Sequence, residues 1–290
     1  MVIGNILFPV WFFQGMEDMK PITIITFLAR LIGTIFMFGV IKDQSDYSLL
    51  ILIYSLVSIG IGIMGLFFVS IKFRVIYTIP TYASIKYQIA QGFHVFISMV
   101  AINLYTTTNI FLLGIFVNDT AVGYFSAADK IRTAVQNIIP ILSQTVFPYV
   151  NKLLIESYSK FLLFIKKLLK YQTILSGIIS IAVFLFAGDI VQLLLGKEFQ
   201  QSILILKILA VLPFLSSFTS IFAVNILIPL SQENDFMKTF LSAGVLSLFS
   251  AIIIIPVYKE VGTAIVFVVA EFVAASLSFY YVNKKIKLFG

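Results

Sequence analysis

The chain has 290 residues, of which 60% are hydrophobic and 11% charged, and its formal net charge is +7. Soluble domains carry about 25% charged residues, so this composition excludes an ordinary soluble domain and indicates a membrane protein. With no cysteine and a single histidine, His94, the sequence excludes disulfides, thiolate metal sites and histidine metal clusters.

Eight apolar segments are long enough to cross a bilayer as helices. A hydrocarbon core of about 30 Å requires about 20 helical residues at a rise of 1.5 Å each. The predicted fold is therefore all-α, a polytopic bundle of about eight transmembrane helices. The predicted spans are residues 21–41, 49–71, 93–115, 122–149, 168–188, 203–228, 238–256 and 262–282.

Lysine and arginine residues are unevenly divided between alternate loops, and this sets the orientation of the chain. The side that holds most of them faces the cytoplasm by the positive-inside rule. Both termini then lie in the cytoplasm, as an even number of spans requires. The cytoplasmic set is Lys20, Lys72, Arg74, Lys86, Lys152, Lys160, Lys166, Lys167, Lys170, Lys238, Lys284, Lys285 and Lys287, against Lys42, Lys197, Lys207 and Lys259 outside.

The connections between spans are short, and the two longest, 72–92 and 150–167, are cytoplasmic. Residues 72–92 mix polar and aromatic side chains, which predicts an amphipathic linker lying on the membrane surface. This linker is the candidate domain boundary. The connection at 150–167 is basic.

Two consecutive spans carry polar stripes at helical spacing, which indicates a partner helix or a water-filled cavity. We expect the two stripes to line one polar space together, and we expect the spans 168–188 and 238–256 to be peripheral. The stripe in 93–115 comprises His94, Ser98, Tyr105, Thr108 and Asn109. The stripe in 122–149 comprises Ser126, Lys130, Thr133, Asn137 and Gln144, with Asp129 beside it.

Two ionisable residues lie near the middle of apolar spans: Arg30, flanked on its face by Thr23, Thr26 and Thr34, and Glu271. A charge at the centre of a span costs about 2.5–3.5 kcal/mol on insertion scales, so neither side chain is expected to face lipid. The functional interpretation is that Arg30 attracts an anionic substrate and that Glu271 binds a coupling cation or proton. In the structural interpretation, neighbouring polar groups satisfy both inside the bundle.

Three segments resemble a known family. "LFPVWFFQGMEDMK", residues 7–20, followed by a span that carries an arginine, resembles the segment leading into the fifth helix of polysaccharide flippases of the multidrug/oligosaccharidyl-lipid/polysaccharide exporter superfamily. "NLYTTTNIFLLGIFVNDTAVGYFSAADKIR", residues 103–132, is similar to the seventh and eighth helices of that family. "PILSQTVFPYVNKL", residues 140–153, is similar to the end of the eighth. The correspondence covers essentially the whole chain.

The resemblance implies a fold of two six-helix lobes around a central cavity, with this chain beginning at the fifth helix. Residues 1–71 would be the remnant of the N-terminal lobe with two spans, 72–92 the linker between lobes, and 93–290 a C-terminal lobe of six spans. Because four helices of the family pattern are missing, the chain is expected to be either a truncated, inactive fragment or part of a longer flippase.

The family mechanism implied by the resemblance is translocation of undecaprenyl-diphosphate-linked oligosaccharides across the bacterial inner membrane by alternating access. The products serve O-antigen, lipopolysaccharide, capsule or exopolysaccharide synthesis. No cofactor, enzymatic activity or nucleic-acid partner is implied, and a proton or sodium gradient would supply the energy. The expected partners are the lipid-linked oligosaccharide, membrane lipids, a polysaccharide polymerase and a chain-length regulator. The expected substrate contacts are Arg30, Lys130, Tyr105, Asn109, Asn137 and Gln144, with Asp129 and Glu271 as ion-coupling residues.

Two alternatives stay open at the level of sequence. A multidrug-type drug/cation antiporter of the same superfamily would be expected to have more acidic than basic cavity residues, and this chain has both. A non-transporting scaffold would bind glycosyltransferases through the basic region 150–170.

Overall fold

The computed structural model of the protein describes residues 2–16, 18–42, 46–75, 78 and 80–286. All regular structure in these ranges is helical, and the chain divides into two compact units, residues 1–82 and 83–290. The predicted fold class, a polytopic helical bundle, is confirmed. The α-helices are α1 (Val2–Leu7), α2 (Val10–Gly15), α3 (Lys20–Val40), α4 (Tyr47–Phe73), α5 (Tyr82–Phe116), α6 (Asp119–Gln136), α7 (Ile138–Glu156), α8 (Tyr158–Leu185), α9 (Ala187–Leu195), α10 (Gln201–Leu209), α11 (Leu212–Thr219) and α12 (Glu233–Lys285).

Seven helical stretches in the described ranges are long and apolar enough to cross a membrane. The last stretch, α12, has 53 residues and folds back at Lys259, where φ is 52° and ψ is −131°. Asp235 and Lys285 form an ion pair at 3.8 Å, although 50 residues in a straight helix would separate them by about 75 Å. α12 is therefore two antiparallel halves, 233–258 and 260–285, and the seven stretches supply eight candidate crossings, the number predicted from the sequence.

The first unit consists of α1 to α4. Its core is formed by Phe8, Phe13 and Val69, so the aromatic segment ahead of α3 is the packing centre of this unit. Gly4 of α1 lies directly on α4, where a Cβ atom would come within 2.3 Å of the Ser58 carbonyl oxygen. Such close contact between apolar helices uses small residues because dispersion forces, rather than expulsion of water, hold helices together in lipid.

The second unit consists of α5 to α12. The predicted span 203–228 is broken here into α10, α11 and a π-helical segment, Ser220–Leu227. Phe214 lies in the first turn of α11, directly after Pro213. Its N–H therefore has no partner within the helix. The Ser180 hydroxyl of α8 accepts a hydrogen bond from that N–H at 3.1 Å, and Gln172 Nε2 donates to the Ser217 carbonyl at 3.5 Å.

The expectation that spans 168–188 and 238–256 are peripheral is therefore wrong. α8 buries Gln172, Ser176 and Ser180 against α11, and Ser247 in the first half of α12 is fully buried. The physical reason is that backbone groups released by a broken helix must find partners inside the protein, since lipid offers none. Polar residues on α8 provide those partners.

The two predicted cytoplasmic connections are shorter than expected. α4 ends at Phe73 and α5 begins at Tyr82, so the second half of the predicted linker 72–92 is helical and continuous with the following span. The boundary between the compact units, 82/83, falls within this predicted linker. In the basic region, α7 and α8 are separated by Ser157 alone, so residues 150–167 are helical rather than a loop.

Candidate functional site

Three of the predicted site residues meet inside the second unit. Tyr105 and Asn109 lie one turn apart on the buried face of α5, and Glu271 lies on the second half of α12. The Tyr105 hydroxyl donates to Glu271 Oε2 at 3.5 Å, which is a long hydrogen bond. Asn109 Nδ2 donates to the Tyr105 carbonyl at 2.7 Å and to Ser247 Oγ at 2.8 Å. The Glu271 residue is 9% exposed.

Glu271 also faces the broken helix. The Thr219 hydroxyl, at the junction between α11 and the π-helical segment, interacts with its carboxylate. Among the described residues, no lysine or arginine forms an ion pair with Glu271 within 4.0 Å. Hydroxyl groups thus surround a carboxylate in the interior of a membrane bundle, an arrangement that suits uptake of a proton or a small cation.

Asp129, the other predicted ion-coupling residue, is already engaged. Arg132 Nε donates to Asp129 Oδ1 at 3.0 Å, a second guanidinium nitrogen contacts the same oxygen, and Arg132 Nη1 donates to Gln136 Oε1 at 2.7 Å. The side chains of Arg132 and Asp129 are 12% and 18% exposed. Asp129 is therefore a partner of Arg132 rather than an open carboxylate.

Lys130, Asn137 and Gln144 lie elsewhere. All three are exposed on the surface of the second unit, on α6, at the junction of α6 and α7, and on α7. Their spacing of seven residues places them on one stripe of a stretch that is apolar enough to cross the membrane. The expectation that this stripe and the α5 stripe line one space together is wrong, because Ser98, Tyr105 and Asn109 of the α5 stripe are buried.

Arg30 is exposed on α3 in the first unit, between two clefts of about 430 Å³ each. One cleft combines Arg30 with Asn5, Tyr54 and Ser58 among apolar residues of α1, α3 and α4. The other is lined by Thr23, Thr26, Phe27, Arg30, Leu31 and Thr34 of α3. The guanidinium group thus has hydroxyl groups on both sides, which is suitable for an anion that carries several acceptor oxygens.

The sequence interpretation missed several polar residues of the second unit. Arg132 lies off the predicted stripe of the span 122–149, yet it binds Asp129. Thr219 of α11 and Ser247 of the first half of α12 also contact the predicted residues. The signal for Ser247 was the set of hydroxyl residues that interrupts its apolar span, since polar groups in lipid need internal partners. They are Thr239, Ser242, Ser247 and Ser250.

Some polar atoms in the interior of the second unit have no hydrogen-bond partner within the described part of the chain. They are Asn109 Oδ1, Gln172 Oε1, Thr173 Oγ1 and Asn225 Oδ1. Asn109 Oδ1 belongs to the same group as Tyr105 and Ser247. An acceptor of this kind is available to an ion or a water molecule, because leaving a buried polar atom without a partner costs free energy.

Comparison with known proteins identifies the family. Residues 1–154 match the family described as "Polysaccharide biosynthesis protein". The chain is 30% identical over 282 residues to a protein of Escherichia coli (strain K12) named "Putative O-antigen transporter", covering 97% of the chain and 68% of that protein. A protein of Shigella dysenteriae with the same name is 28% identical over 263 residues, covering 90% of the chain and 65% of that protein.

The chain therefore spans about two thirds of the length of these curated relatives. No solved structure matches it. The family match covers more than half of the chain, and the similarity to the E. coli protein extends over nearly all of it. The chain belongs to the polysaccharide biosynthesis protein family.

Proposed function

We propose that the chain acts in a multi-pass membrane flippase that moves lipid-linked oligosaccharide units from the cytoplasmic to the outer leaflet of the bacterial inner membrane. The observation that carries this proposal is the exposure of charged and amide side chains within apolar spans of each unit. In the first unit this is Arg30 with its threonines, and in the second it is the stripe of Lys130, Asn137 and Gln144. Relatives named as O-antigen transporters support it.

The chemistry of these exposed residues suits such a substrate. Lipid is an unfavourable environment for arginine, lysine and amide groups, so within a bilayer their surfaces require water or a polar ligand. Arg30 offers a permanently charged, forked set of donors that matches phosphate oxygens. Lys130 supplies a second positive charge, and Asn137 and Gln144 supply amide donors and acceptors for sugar hydroxyls. On the first unit Arg30 would bind phosphate oxygens, and on the second unit the amides would bind sugar hydroxyls.

The buried group around Glu271 would supply the coupling. Glu271 lies among Tyr105, Thr219 and Asn109 and has no cationic partner within ion-pair distance among the described residues. Uptake of one proton or one monovalent cation would neutralise it and favour one conformation of the bundle over another. Asp129 would act through Arg132 and not as a direct ligand.

The orientation follows the distribution of lysines in the helical structure. Lys160, Lys166, Lys167 and Lys170 lie in the first half of α8, which at 28 residues is longer than a bilayer core requires. By the positive-inside rule we expect this end, and with it both termini, to lie in the cytoplasm. A polymerase and a chain-length regulator on the outer side would use the delivered units.

Replacing Arg30 tests the substrate site. In cells that depend on this protein for export, Arg30→Ala should reduce lipid-linked oligosaccharide in the outer leaflet at least tenfold, because the anionic group loses its forked donor. Arg30→Lys should retain part of the transport, since the charge remains. The readout is labelling of intact cells or right-side-out vesicles with a lectin that cannot cross the membrane.

Arg74→Ala is the matched control, because Arg74 is an exposed arginine after the end of α4. It should transport at the normal level when present in the membrane in equal amount. Equal delivery by Arg30→Ala and the unaltered protein would rule out Arg30 as a substrate contact.

A further inference from the structure

The position of Arg132 relative to Glu271 can be read from a ring contact. Phe125 of α6 and Phe267 of α12 pack edge to face, with centroids 5.2 Å apart. Their helices belong to the fourth and eighth crossings, which run in the same direction because crossings alternate. Arg132 lies seven residues after Phe125 and Glu271 four residues after Phe267, so along the bundle axis they are offset by about 4.5 Å.

Both residues also lie on the faces that their phenylalanines define. Seven residues are close to two full helical turns and four are close to one, so Arg132 and Glu271 point in nearly the same directions as Phe125 and Phe267. An arginine side chain is long enough to cover the remaining separation. The charge of Arg132 is accordingly felt at both Glu271 and Tyr105.

Few other charged or titratable groups face Glu271 from the elements packed around it in the described part of the chain. α5 contributes Tyr105, and α6 contributes Arg132 with its partner Asp129. α11, the π-helical segment and residues 239–256 of α12 contain no titratable residue. Lys207 of α10 is exposed and lies over the Phe184 ring.

We propose that Arg132 is a shared counter-ion that alternates between two carboxylates, pairing with Asp129 while Glu271 holds a proton or a monovalent cation, and pairing with Glu271 once that ion has left. The arrangement seen here, with Arg132 on Asp129, is the state in which Glu271 is neutralised. This inference rests on the ion coupling put forward above and adds to it a positioning residue, Arg132.

The charge balance explains why such an exchange is needed. Asp129, Glu271 and Arg132 together carry one net negative charge, so one bound monovalent cation or proton makes the group neutral. When that ion leaves, the Arg132 guanidinium is the positive charge that acts on Glu271 among the described residues. A move of Arg132 towards Glu271 avoids an isolated carboxylate at the buried Glu271 and leaves Asp129, whose side chain is 18% exposed, at the surface of the second unit.

The test measures the reactivity of Glu271 towards a hydrophobic carbodiimide, which modifies protonated carboxyl groups within membranes. The purified protein in lipid nanodiscs is treated at a fixed pH of about 7, and modification of Glu271 is followed by mass spectrometry, with Glu271→Gln as the blank. Arg132→Gln should react about tenfold faster, because the carboxylate loses a competing positive charge. Asp129→Asn should react more slowly, because Arg132 is then free to remain on Glu271.

Two further variants and one ion-protection measurement test the charge dependence and identify the bound ion. Arg132→Lys keeps the charge and should react nearly as the unaltered protein does, which provides a readout if Arg132→Gln does not fold. The double variant Arg132→Gln/Asp129→Asn should behave as Arg132→Gln, since no guanidinium remains to move. If Na⁺ slows the modification of Glu271 relative to choline at the same ionic strength, the bound ion is a metal cation. If the modification rate depends on pH alone, the bound ion is a proton.

The proposal is overturned if Asp129→Asn leaves the reactivity of Glu271 unchanged, or if the two single variants shift it in the same direction. Either result would reduce the Asp129–Arg132 pair to a local bond within α6. The carbodiimide reaction needs no sugar substrate, so its outcome is independent of whether oligosaccharide transport is found in the lectin assay.

Discussion

At the scale of single residues, Lys259 shows how a backbone position limits side-chain choice. Its φ of 52° and ψ of −131° correspond to the first central position of a type II′ turn, which glycine occupies most readily. We expect Lys259→Gly to raise the free energy of unfolding by about 1 kcal/mol, measured by thermal unfolding in detergent. Lys207→Gly, in the helical interior of α10, should lower it by about as much. A lower melting temperature for Lys259→Gly would contradict the fold-back at this residue.

Ser180 is the second residue whose role can be tested alone. Its hydroxyl accepts a hydrogen bond from the Phe214 N–H, which lies in the first turn of α11, after Pro213, and has no partner within that helix. Ser180→Ala should cost about 1 kcal/mol of stability, because a backbone donor in the bundle interior loses its acceptor. Ser276→Ala is the control, since the Ser276 hydroxyl is exposed and bonds only within its own helix at 2.8 Å. Equal melting temperatures for the two variants would show that the bond contributes nothing.

At the scale of elements, the contact between α1 and α4 depends on Gly4. A Cβ at this position would lie 2.2 Å from the Ser58 carbonyl carbon, which is far closer than van der Waals contact allows. We expect Gly4→Val to separate α1 from α4 and to make residues 2–15 accessible to protease in detergent micelles. Gly15→Ala should leave the digestion pattern unchanged, because nothing lies within 4 Å of a Cβ there. Resistance of Gly4→Val to digestion would argue against this packing.

Element boundaries also show what the sequence could and could not predict. Hydropathy identified all eight crossings because lipid imposes a length on each apolar run. The helical structure of residues 82–92 and 150–167 was not predicted, because a polar helix and a polar loop have similar compositions. The π-helical segment, Ser220–Leu227, escaped because an apolar run has no period that would distinguish π from α geometry.

The same limit applies to the candidate site. Tyr105 and Asn109 could be placed on one face of a helix from their spacing, since that is a local property. Their meeting with Glu271, Thr219 and Ser247 depends on which helices pack together, which periodicity does not specify. Arg132 was not among the predicted residues because it lies off the stripe of Lys130, Asn137 and Gln144, and its interaction with Glu271 depends on how α6 packs against α12.

At the scale of the whole molecule, the exposed polar residues within apolar spans are the proposed contacts for the transported substrate. The stripe of Lys130, Asn137 and Gln144 lies on the surface of the second unit, and Arg30 lies on the surface of the first. Lys130→Leu should weaken transport severalfold and leave folding intact, because an exposed charge within a span contributes little to packing. Delivery of the oligosaccharide in the lectin assay and the amount of protein in the membrane report these two effects separately. Undiminished delivery would mean that Lys130 faces no substrate.

The central claim is that this chain acts in moving a lipid-linked oligosaccharide between leaflets, and one measurement tests it most directly. Liposomes containing the purified protein and a fluorescent polyprenyl-diphosphate saccharide are treated with an impermeant quencher added outside. The account predicts that saccharide of the inner leaflet becomes quenched over time, faster than in liposomes containing the Arg30→Ala variant. A protected inner-leaflet fraction that stays constant with correctly folded protein, under both a proton and a sodium gradient, would contradict it.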